Sequence, residues 1–246
     1  MKYVITILVV LLNGCEMFSS NDQAPSLKLI KSSGIDVSEP SGLTLDASNK
    51  FFYCVSDPPE NKVHKLDLDG NLVQTLGFVG QDLEGISFDP RDGSLWVVDE
   101  LQSEFIHLSD SGEELSRTAL NYSVPEKKNG LEGICFRPET QDIHIIKQKN
   151  PAAVIYVDSN LVTQNSKSFD LSIDITGICQ GRGDDEFLII SAGEKQLFEW
   201  SWEGGILATY RFDVKQAEGV IYDTTSALVY IVCDSESILY TYKFPD

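Results

Sequence analysis

A short phrase recurs five times along this chain, in which a glycine is followed by an apolar residue and a strand-like run. The copies are Pro40–Leu43, Leu83–Ile86, Leu131–Ile134, Ile175–Ile178 and Ala217–Val220. Their glycines lie at positions 42, 85, 133, 177 and 219, so the spacing is 43, 48, 44 and 42 residues. Repeats of this length are typical of arrays in which no unit can bury its apolar face alone.

Each repeat unit is predicted to hold four short strands. In the second unit, Gly85–Phe88 precedes the turn Asp89–Gly93, and the β-rich runs Ser94–Val98 and Phe105–Leu108 follow. No window shows a convincing helical period of apolar residues. Four antiparallel strands per unit of ~40 to 45 residues are typical of a propeller blade. We therefore predict an all-β fold, a five-bladed β-propeller of four-stranded antiparallel blades.

The last unit is one strand short. Its strands are expected near Val220–Tyr222, Leu228–Cys233 and Ile238–Phe244, where the given sequence is almost at its end. Leu27–Lys31, ahead of the first repeat, alternates like a strand and belongs to no unit of its own. We predict that it completes the fifth blade as the outer strand, because closing the ring removes exposed sheet edges. The propeller domain then spans residues 27–246.

The first residues have the features of an export signal. Lys2 supplies a positive charge, Val4–Leu12 is an apolar run too short to span a bilayer, and Leu12–Cys15 ends it. This end resembles the lipobox of bacterial lipoproteins. The resemblance implies a signal peptide over residues 1–14, acylation of Cys15 with palmitate among its lipids, and a lipidated tether over residues 15–26. An ordinary signal peptide with an incidental cysteine is the alternative.

The same resemblance predicts the location of the protein. A lipid anchor at Cys15 would make the membrane a partner and place the domain in the bacterial cell envelope. Glu16 follows the cysteine, in place of the aspartate that resembles an inner-membrane retention signal. The outer membrane is therefore favoured, on either its periplasmic face or its surface.

Four further cysteines, Cys54, Cys135, Cys179 and Cys233, lie in or beside the predicted strands. An oxidising envelope permits disulfides. Their positions favour buried small side chains instead, because two of them follow a repeat glycine by two residues and two lie in second strands.

The composition excludes one class of partner. The chain carries 38 acidic and 19 basic side chains, a formal net charge of −19. Nucleic-acid binding rests on clustered Lys and Arg that neutralise phosphates, so no nucleic-acid partner is expected. A high net charge also favours a soluble monomer.

Two stretches resemble a known family. Gly130–Gly133 running on to Lys147–Pro151, and Lys215–Val220, are similar to the SdiA-regulated (YjiK-like) family, and the similarity extends over about residues 27–244. The repeats are also similar to those of NHL-type propellers. The resemblance implies a five-bladed envelope propeller without an established activity, for which a cation and ligand site at the central channel is suspected. Ser41 and Thr176 stand where other repeats carry glutamate.

Three repeat glutamates are the candidate metal ligands. The first strand of every blade lines the central channel, so equivalent positions of different repeats converge. Glu84, Glu132 and Glu218 are therefore expected to meet. Ca²⁺ takes ~6 to 8 oxygen ligands, and carboxylates supply them. These positions are similar to that of the glutamate beside the ion in calcium-dependent propellers of the gluconolactonase and paraoxonase type.

The ends of the second strands add candidate residues at one mouth of the channel. These candidate ligand-binding residues are Asp57, Asp99, Glu100, Lys147, Gln148 and Asp234. Several carboxylates in one channel repel one another, so they must be protonated, paired or bound to a cation. Lys147 or Lys149 reaching inward would neutralise them without a metal.

Two functions follow from these residues. The first is a binding module, in which the channel is expected to hold a cation, Ca²⁺ in preference, and a small ligand or an envelope protein. The second is a calcium-dependent hydrolase of lactones or phosphodiesters, with Asp99, Asp234 or Glu218 as general base. No nucleophile motif or phosphate loop is present, so catalytic residues stay unassigned and binding is preferred to catalysis. A purely structural role is the third reading.

The histidines and tryptophans have simpler predictions. His64, His107 and His144 lack metal-ligand spacing and are expected at the surface or as hydrogen-bonded core residues. The tryptophans lie in strands and are expected to pack between blades.

Overall fold

A computed structural model describes residues 24–122, 130–169 and 173–245. The predicted signal peptide, Cys15 and most of the tether lie outside the described residues. Within the described ranges every regular element is a strand. The described residues contain no helix that is long and apolar enough to cross a membrane.

Twenty strands form the described part of the chain. In chain order they are β1 (Lys28–Gly34), β2 (Pro40–Leu45), β3 (Phe51–Ser56), β4 (Lys62–Asp67), β5 (Leu72–Val79), β6 (Leu83–Phe88), β7 (Leu95–Asp99), β8 (Glu104–Leu108), β9 (Glu114–Ala119), β10 (Leu131–Arg137), β11 (Asp142–Lys147), β12 (Ala153–Val157), β13 (Thr163–Ser168), β14 (Ile175–Gln180), β15 (Glu186–Ser191), β16 (Gln196–Ser201), β17 (Gly205–Arg211), β18 (Ala217–Asp223), β19 (Leu228–Cys233) and β20 (Ile238–Lys243).

The strands form five antiparallel sheets of four, which are the blades of a propeller. Blades 1 to 4 follow chain order as β2–β5, β6–β9, β10–β13 and β14–β17. Blade 5 has the order β18-β19-β20-β1, so the first strand of the chain is the outer strand of the last blade. Its register runs from Lys28 opposite Lys243 to Gly34 opposite Ile238. The predicted five-bladed fold and its closure by the N-terminal strand are both confirmed.

The repeat glycines allow the inner strands to approach one another. A Cβ on any of the glycines at 42, 85, 133, 177 and 219 would meet backbone atoms of the first strand in blades 2, 3, 4, 5 and 1 respectively. At Gly219 the closest atoms would be the Ser41 carbonyl oxygen at 2.6 Å and the Leu43 nitrogen at 2.7 Å. These contacts therefore link the first strands of the five blades in a closed ring. Glycine recurs because only a residue without a side chain fits this approach.

A second set of contacts links the same strands two residues later. The Thr44 hydroxyl accepts the Phe88 N–H at 3.2 Å, and the Ser87 hydroxyl accepts the Phe136 N–H at 3.0 Å. Cys135 and Cys179 occupy the equivalent positions, where each sulfur receives a backbone N–H from the next blade. All four described cysteines are free and buried, as their positions predicted. The two on first strands also accept hydrogen bonds between blades.

The apolar core is divided among the gaps between blades. Five buried clusters fill the gaps between successive blades and between blades 5 and 1. Trp96 and Trp200 pack in these gaps, as predicted. Each blade therefore buries its apolar faces only against its neighbours.

The glycine contacts predict a stability effect for Gly133→Ala. The new Cβ would lie 2.8 Å from the Ile178 nitrogen and 3.0 Å from the Gly177 Cα, and backbone there cannot move aside. We expect a loss of about 1–3 kcal/mol of unfolding free energy, measured by urea denaturation. Gly77→Ala is the matched control, because its Cβ would meet no atom within 4 Å. Equal effects of the two variants would contradict the close-approach explanation.

Candidate functional site

The central channel narrows to a waist of about 10 Å³. The repeat glycines and the apolar residues that follow them line the waist, together with Glu84 and Glu218. At one end lies a bowl of about 430 Å³ formed by the last residues of the first strands, including Cys135 and Cys179. At the other end the second strands finish. Here carboxylates from several blades collect, and we call this end the acidic mouth.

Two columns of residues form the acidic mouth. One lies three residues before each repeat glycine and the other fifteen residues after it. A backbone hydrogen bond joins the columns within a blade, as in Glu100 N–H to Asp82 carbonyl at 2.8 Å and Asp57 N–H to Glu39 carbonyl at 2.9 Å. Both columns are rich in acids, with the side chains Glu39, Asp57, Asp82, Glu100, Asp174 and Asp234. The antiparallel pairing of the first two strands thus puts acidic residues distant in sequence side by side.

Two predicted mouth residues have buried partners instead. Asp99 is 1 % exposed and accepts N–H groups of Gln81 at 2.9 Å and Gln102 at 3.4 Å. Lys147 is 2 % exposed, and its ammonium donates to the carbonyls of Lys149 and Pro151, the latter at 3.0 Å. Side chains alternate along a strand, so these residues face the packed interior while the next residue faces the opening. Gln148 and Glu100 occupy that outward position.

The three repeat glutamates lie on first strands in different surroundings. Glu84 accepts a hydrogen bond from the Ser41 hydroxyl at 2.7 Å. Glu132 is buried, with only 6 % of its surface exposed. Burial, together with the charges of Glu84 and Glu218, raises the pKa of Glu132 well above its ordinary value. Burial and Glu84 raise the pKa of Glu218 to about 8.

The tightest group of carboxylates is a different trio. One oxygen each of Asp82, Glu84 and Glu100 lies within 4.8 Å of the others, the spacing needed to share a metal ion. Of the three predicted metal ligands only Glu84 belongs to this trio. Sequence reasoning placed Glu100 at the mouth but missed Asp82. The signal was present, since the position three residues before the repeat glycine is acidic in three of five repeats.

Some oxygens of the mouth carboxylates lack a hydrogen-bond donor. One buried oxygen of Asp57, Asp174 and Asp234 finds no N–H or O–H partner. Asp57 lies within hydrogen-bonding reach of Glu84, and Asp234 of Glu39. Such contacts are unfavourable between two carboxylates unless a proton or a cation is shared.

The pKa values of the mouth follow from this crowding. Burial and the charges of Glu218, Asp234 and Asp82 raise the pKa of Asp57 to about 8. Burial raises the pKa of Glu100 to about 7, and burial with Glu39 raises that of Asp234 to about 6. The mouth therefore holds protons at neutral pH when no cation is present.

One lysine balances part of this charge. The Lys149 ammonium lies 3.7 Å from the Asp174 carboxylate, and its charge acts to lower the pKa values of Glu100 and Glu218. Lys149 of blade 3 thus brings a cation to a mouth in which blades 1, 2 and 5 carry acids. The charges are therefore distributed unevenly around the acidic mouth.

Comparisons with known proteins agree with this fold. A family model described as SdiA-regulated matches residues 26–243. Among solved structures, the chain is similar to the β-propeller domain of Cps50 (Swd1) from Myceliophteria thermophila, with a TM-score of 0.52 and 9% identity. That match covers 84% of this chain and 65% of the other, so it spans less than two thirds of that structure and shows the fold alone. None of the curated proteins matches the chain.

Proposed function

The chain belongs to the SdiA-regulated family, and we propose that it is a binding module. In this proposal the acidic mouth holds a divalent cation, Ca²⁺ in preference. A small ligand or an envelope protein binds beside the ion. The observation that carries this proposal is the trio of Asp82, Glu84 and Glu100, with one oxygen of each within 4.8 Å of the others. A proton network without metal is the competing account of the same carboxylates.

Ca²⁺ suits the mouth better than a smaller ion. It accepts ~6 to 8 oxygens in flexible geometry, whereas Mg²⁺ requires a near-ideal octahedron. The mouth offers carboxylates at unequal depths on three blades, including the donor-less oxygens of Asp57 and Asp234. A bound cation would supply the positive charge that these oxygens lack.

The ligand would complete the coordination of the ion. Three carboxylates leave positions open on Ca²⁺, and an oxygen of a bound molecule can occupy them. Lys149, on the neighbouring blade 3, offers a positive charge of its own to an acidic ligand. A small carboxylate or phosphate compound, or an acidic side chain of a partner protein, meets both requirements.

Titration of Ca²⁺ into variants of the proposed metal-binding residues tests the proposal. We expect Asp82→Asn and Glu100→Gln to weaken Ca²⁺ binding about tenfold or more by calorimetry, because each removes an anionic ligand. Glu132→Gln and Glu218→Gln would have the larger effect if the deeper glutamates hold the ion. Glu139→Gln, at the opposite end of the channel, is the control. Absence of binding to the unaltered protein at millimolar Ca²⁺ would remove the proposal.

A calcium-dependent hydrolase is the second candidate. The pKa values of Glu100, about 7, and Asp234, about 6, would let either group exchange a proton near neutral pH beside the ion. Asp99 is less suited as a base, because two backbone N–H groups occupy its carboxylate. Turnover of lactones or phosphodiesters that stops with a chelator would favour this function, and no turnover would leave the binding module.

The proposal places the module at a membrane of the bacterial envelope, anchored by lipid on Cys15. Its support is the sequence of Leu12–Cys15. Labelled palmitate should enter the full chain and not Cys15→Ala. The same variant should move from the membrane fraction to the soluble fraction, and an unchanged distribution would contradict anchoring.

A further inference from the structure

A second pocket lies in the gap between blades 3 and 4, and none of its lining residues lines the channel. Its volume is about 380 Å³, within the range of small-molecule sites. Aromatic rings form its wall, and two acids, Asp185 and Glu203, lie among its lining residues. Its rings are those of His144, Tyr156, Phe187 and Trp202. None of these residues belongs to the acidic mouth.

The rings pack into one continuous wall. The His144 ring lies 4.3 Å from Phe187, 5.4 Å from Tyr156 and 5.9 Å from Trp202, measured between centroids. Tyr156 and Trp202 are 5.9 Å apart with their planes at 53°. Both remain half-buried, so part of each ring is open to the pocket. A tilted pair of this kind forms two sides of a cage.

The charges around the wall disfavour an anion. Arg137 lines the pocket, but Asp142 binds its Nε at 2.8 Å and one terminal nitrogen at 2.7 Å. Asp185 takes the other terminal nitrogen at 3.0 Å. The guanidinium is therefore neutralised, while Glu203 is exposed and adds a further negative charge. Counting Asp142 behind the wall, three carboxylates lie in or beside the pocket, against the two cations Arg137 and Lys167, the second of which donates to the Trp202 carbonyl at 2.7 Å.

His144 adds no positive charge. It is 2 % exposed, and its Nδ1 finds no hydrogen-bond partner, with the nearest Asp142 oxygen at 3.6 Å. Burial lowers its pKa to about 4, so the ring is neutral at physiological pH. This residue differs from the prediction of a hydrogen-bonded core or surface histidine, whereas His64 and His107 are hydrogen-bonded as expected.

We propose that this pocket binds a small organic cation of the alkylammonium class, with Trp202 and Tyr156 facing the cation and Asp185 and Glu203 beside it. Ring faces attract cations, and quaternary ammonium groups are commonly bound by aromatic cages. The neighbourhood already shows the interaction, because the Arg137 guanidinium lies 5.6 Å from the Phe187 centroid and the Lys167 ammonium 5.8 Å from that of Trp200. The site is separate from the proposed cation site of the channel.

Tryptophan fluorescence of the whole chain tests the proposal with choline and tetramethylammonium as probes. Trp96 and Trp200 are buried, so the half-buried Trp202 should report the ligand. We expect saturable quenching by both cations that persists in a chelator and in Glu132→Gln. The neutral carbon isostere of choline, dimethylbutanol, should bind about tenfold more weakly, because it lacks the charge.

Three variants make the test specific. Glu203→Gln should weaken choline binding and leave dimethylbutanol unchanged, with the Tm of the unaltered protein. Trp202→Leu should abolish the binding of both cations by calorimetry, while Trp202→Phe retains part of it. Choline binding below detection at about 50 mM would overturn the proposal. Equal affinity for choline and its neutral isostere would also overturn it and leave an unspecific apolar pocket.

Discussion

A chain without residues 25–34 is expected to lose the cooperative unfolding of the complete domain, with a fall in Tm of more than about 10 °C. The deletion removes β1, which pairs with β20 along its length, and exposes a sheet edge in blade 5. It also removes Leu27, a buried member of the cluster between blades 4 and 5. The backbone bonds of Pro25 and Leu27 with Arg211, at 2.8 and 2.7 Å, are lost as well. Calorimetry of the two chains measures the effect.

Addition of the missing strand in trans is the control for this deletion. A synthetic peptide of residues 24–36 should pair with β20 and restore much of the transition, whereas the same residues in scrambled order should not. A deletion chain that keeps the full Tm would show that β1 does not close the ring. Closure would then rest on the inner strands alone, which already form a complete circle through their glycines.

The fold was predictable because each repeat glycine marks a close backbone contact between blades that a residue with a side chain cannot make. Each of them lies against the next blade, so their number and spacing follow the number of blades and the length of each unit. The missing strand of the last unit was equally predictable, because the alternating run Leu27–Lys31 at the other end of the domain belongs to no unit of its own. The repeat glycines and the alternating run are both local sequence patterns, and both are explained by a closed ring of repeated units.

The site was predictable only in part, because side-chain direction at the end of a strand changes with a single residue. Sequence reasoning grouped Asp99 with Glu100 and Lys147 with Gln148, although the first of each pair points inward and the second toward the mouth. Asp82 was missed because it precedes the recurring phrase. Aligning the repeats beyond that phrase would have shown the acidic column that Asp82 shares with Glu39 and Asp174.

The asymmetry of the mouth also has a residue-level cause. Blade 3 carries Gly130 and Gln148 in the two columns where blades 1 and 2 carry acids. Thr176 in blade 4 donates its hydroxyl to the Ala217 carbonyl at 2.6 Å instead of presenting a carboxylate. The acidic trio therefore forms on blade 2, with Lys149 on the neighbouring blade 3. A symmetric fold thus supports a site with one preferred orientation.

In a chelator, the Tm of the domain is expected to fall by roughly 5–10 °C between pH 5 and pH 8.5. The folded-state pKa values of Asp234, Glu100, Asp57 and Glu218 are raised to between about 6 and about 8. A raised folded pKa means that the folded state binds the proton more tightly than the unfolded state. The stability is therefore greatest near the ordinary carboxyl pKa and is lost as pH rises through the folded values. Scanning calorimetry at a series of pH values measures this loss.

Calcium should reverse this dependence, because the ion replaces the protons at the acidic mouth. We expect millimolar Ca²⁺ to raise the Tm strongly at pH 8 and little at pH 5, and to release protons into a weakly buffered solution on binding. Glu84→Gln should flatten both the pH dependence and the calcium response, whereas Glu139→Gln at the other end of the channel should change neither. A fall in Tm with pH that Ca²⁺ does not reverse would favour the proton network over the metal site. A Tm that does not vary with pH would contradict the crowding of the mouth carboxylates itself.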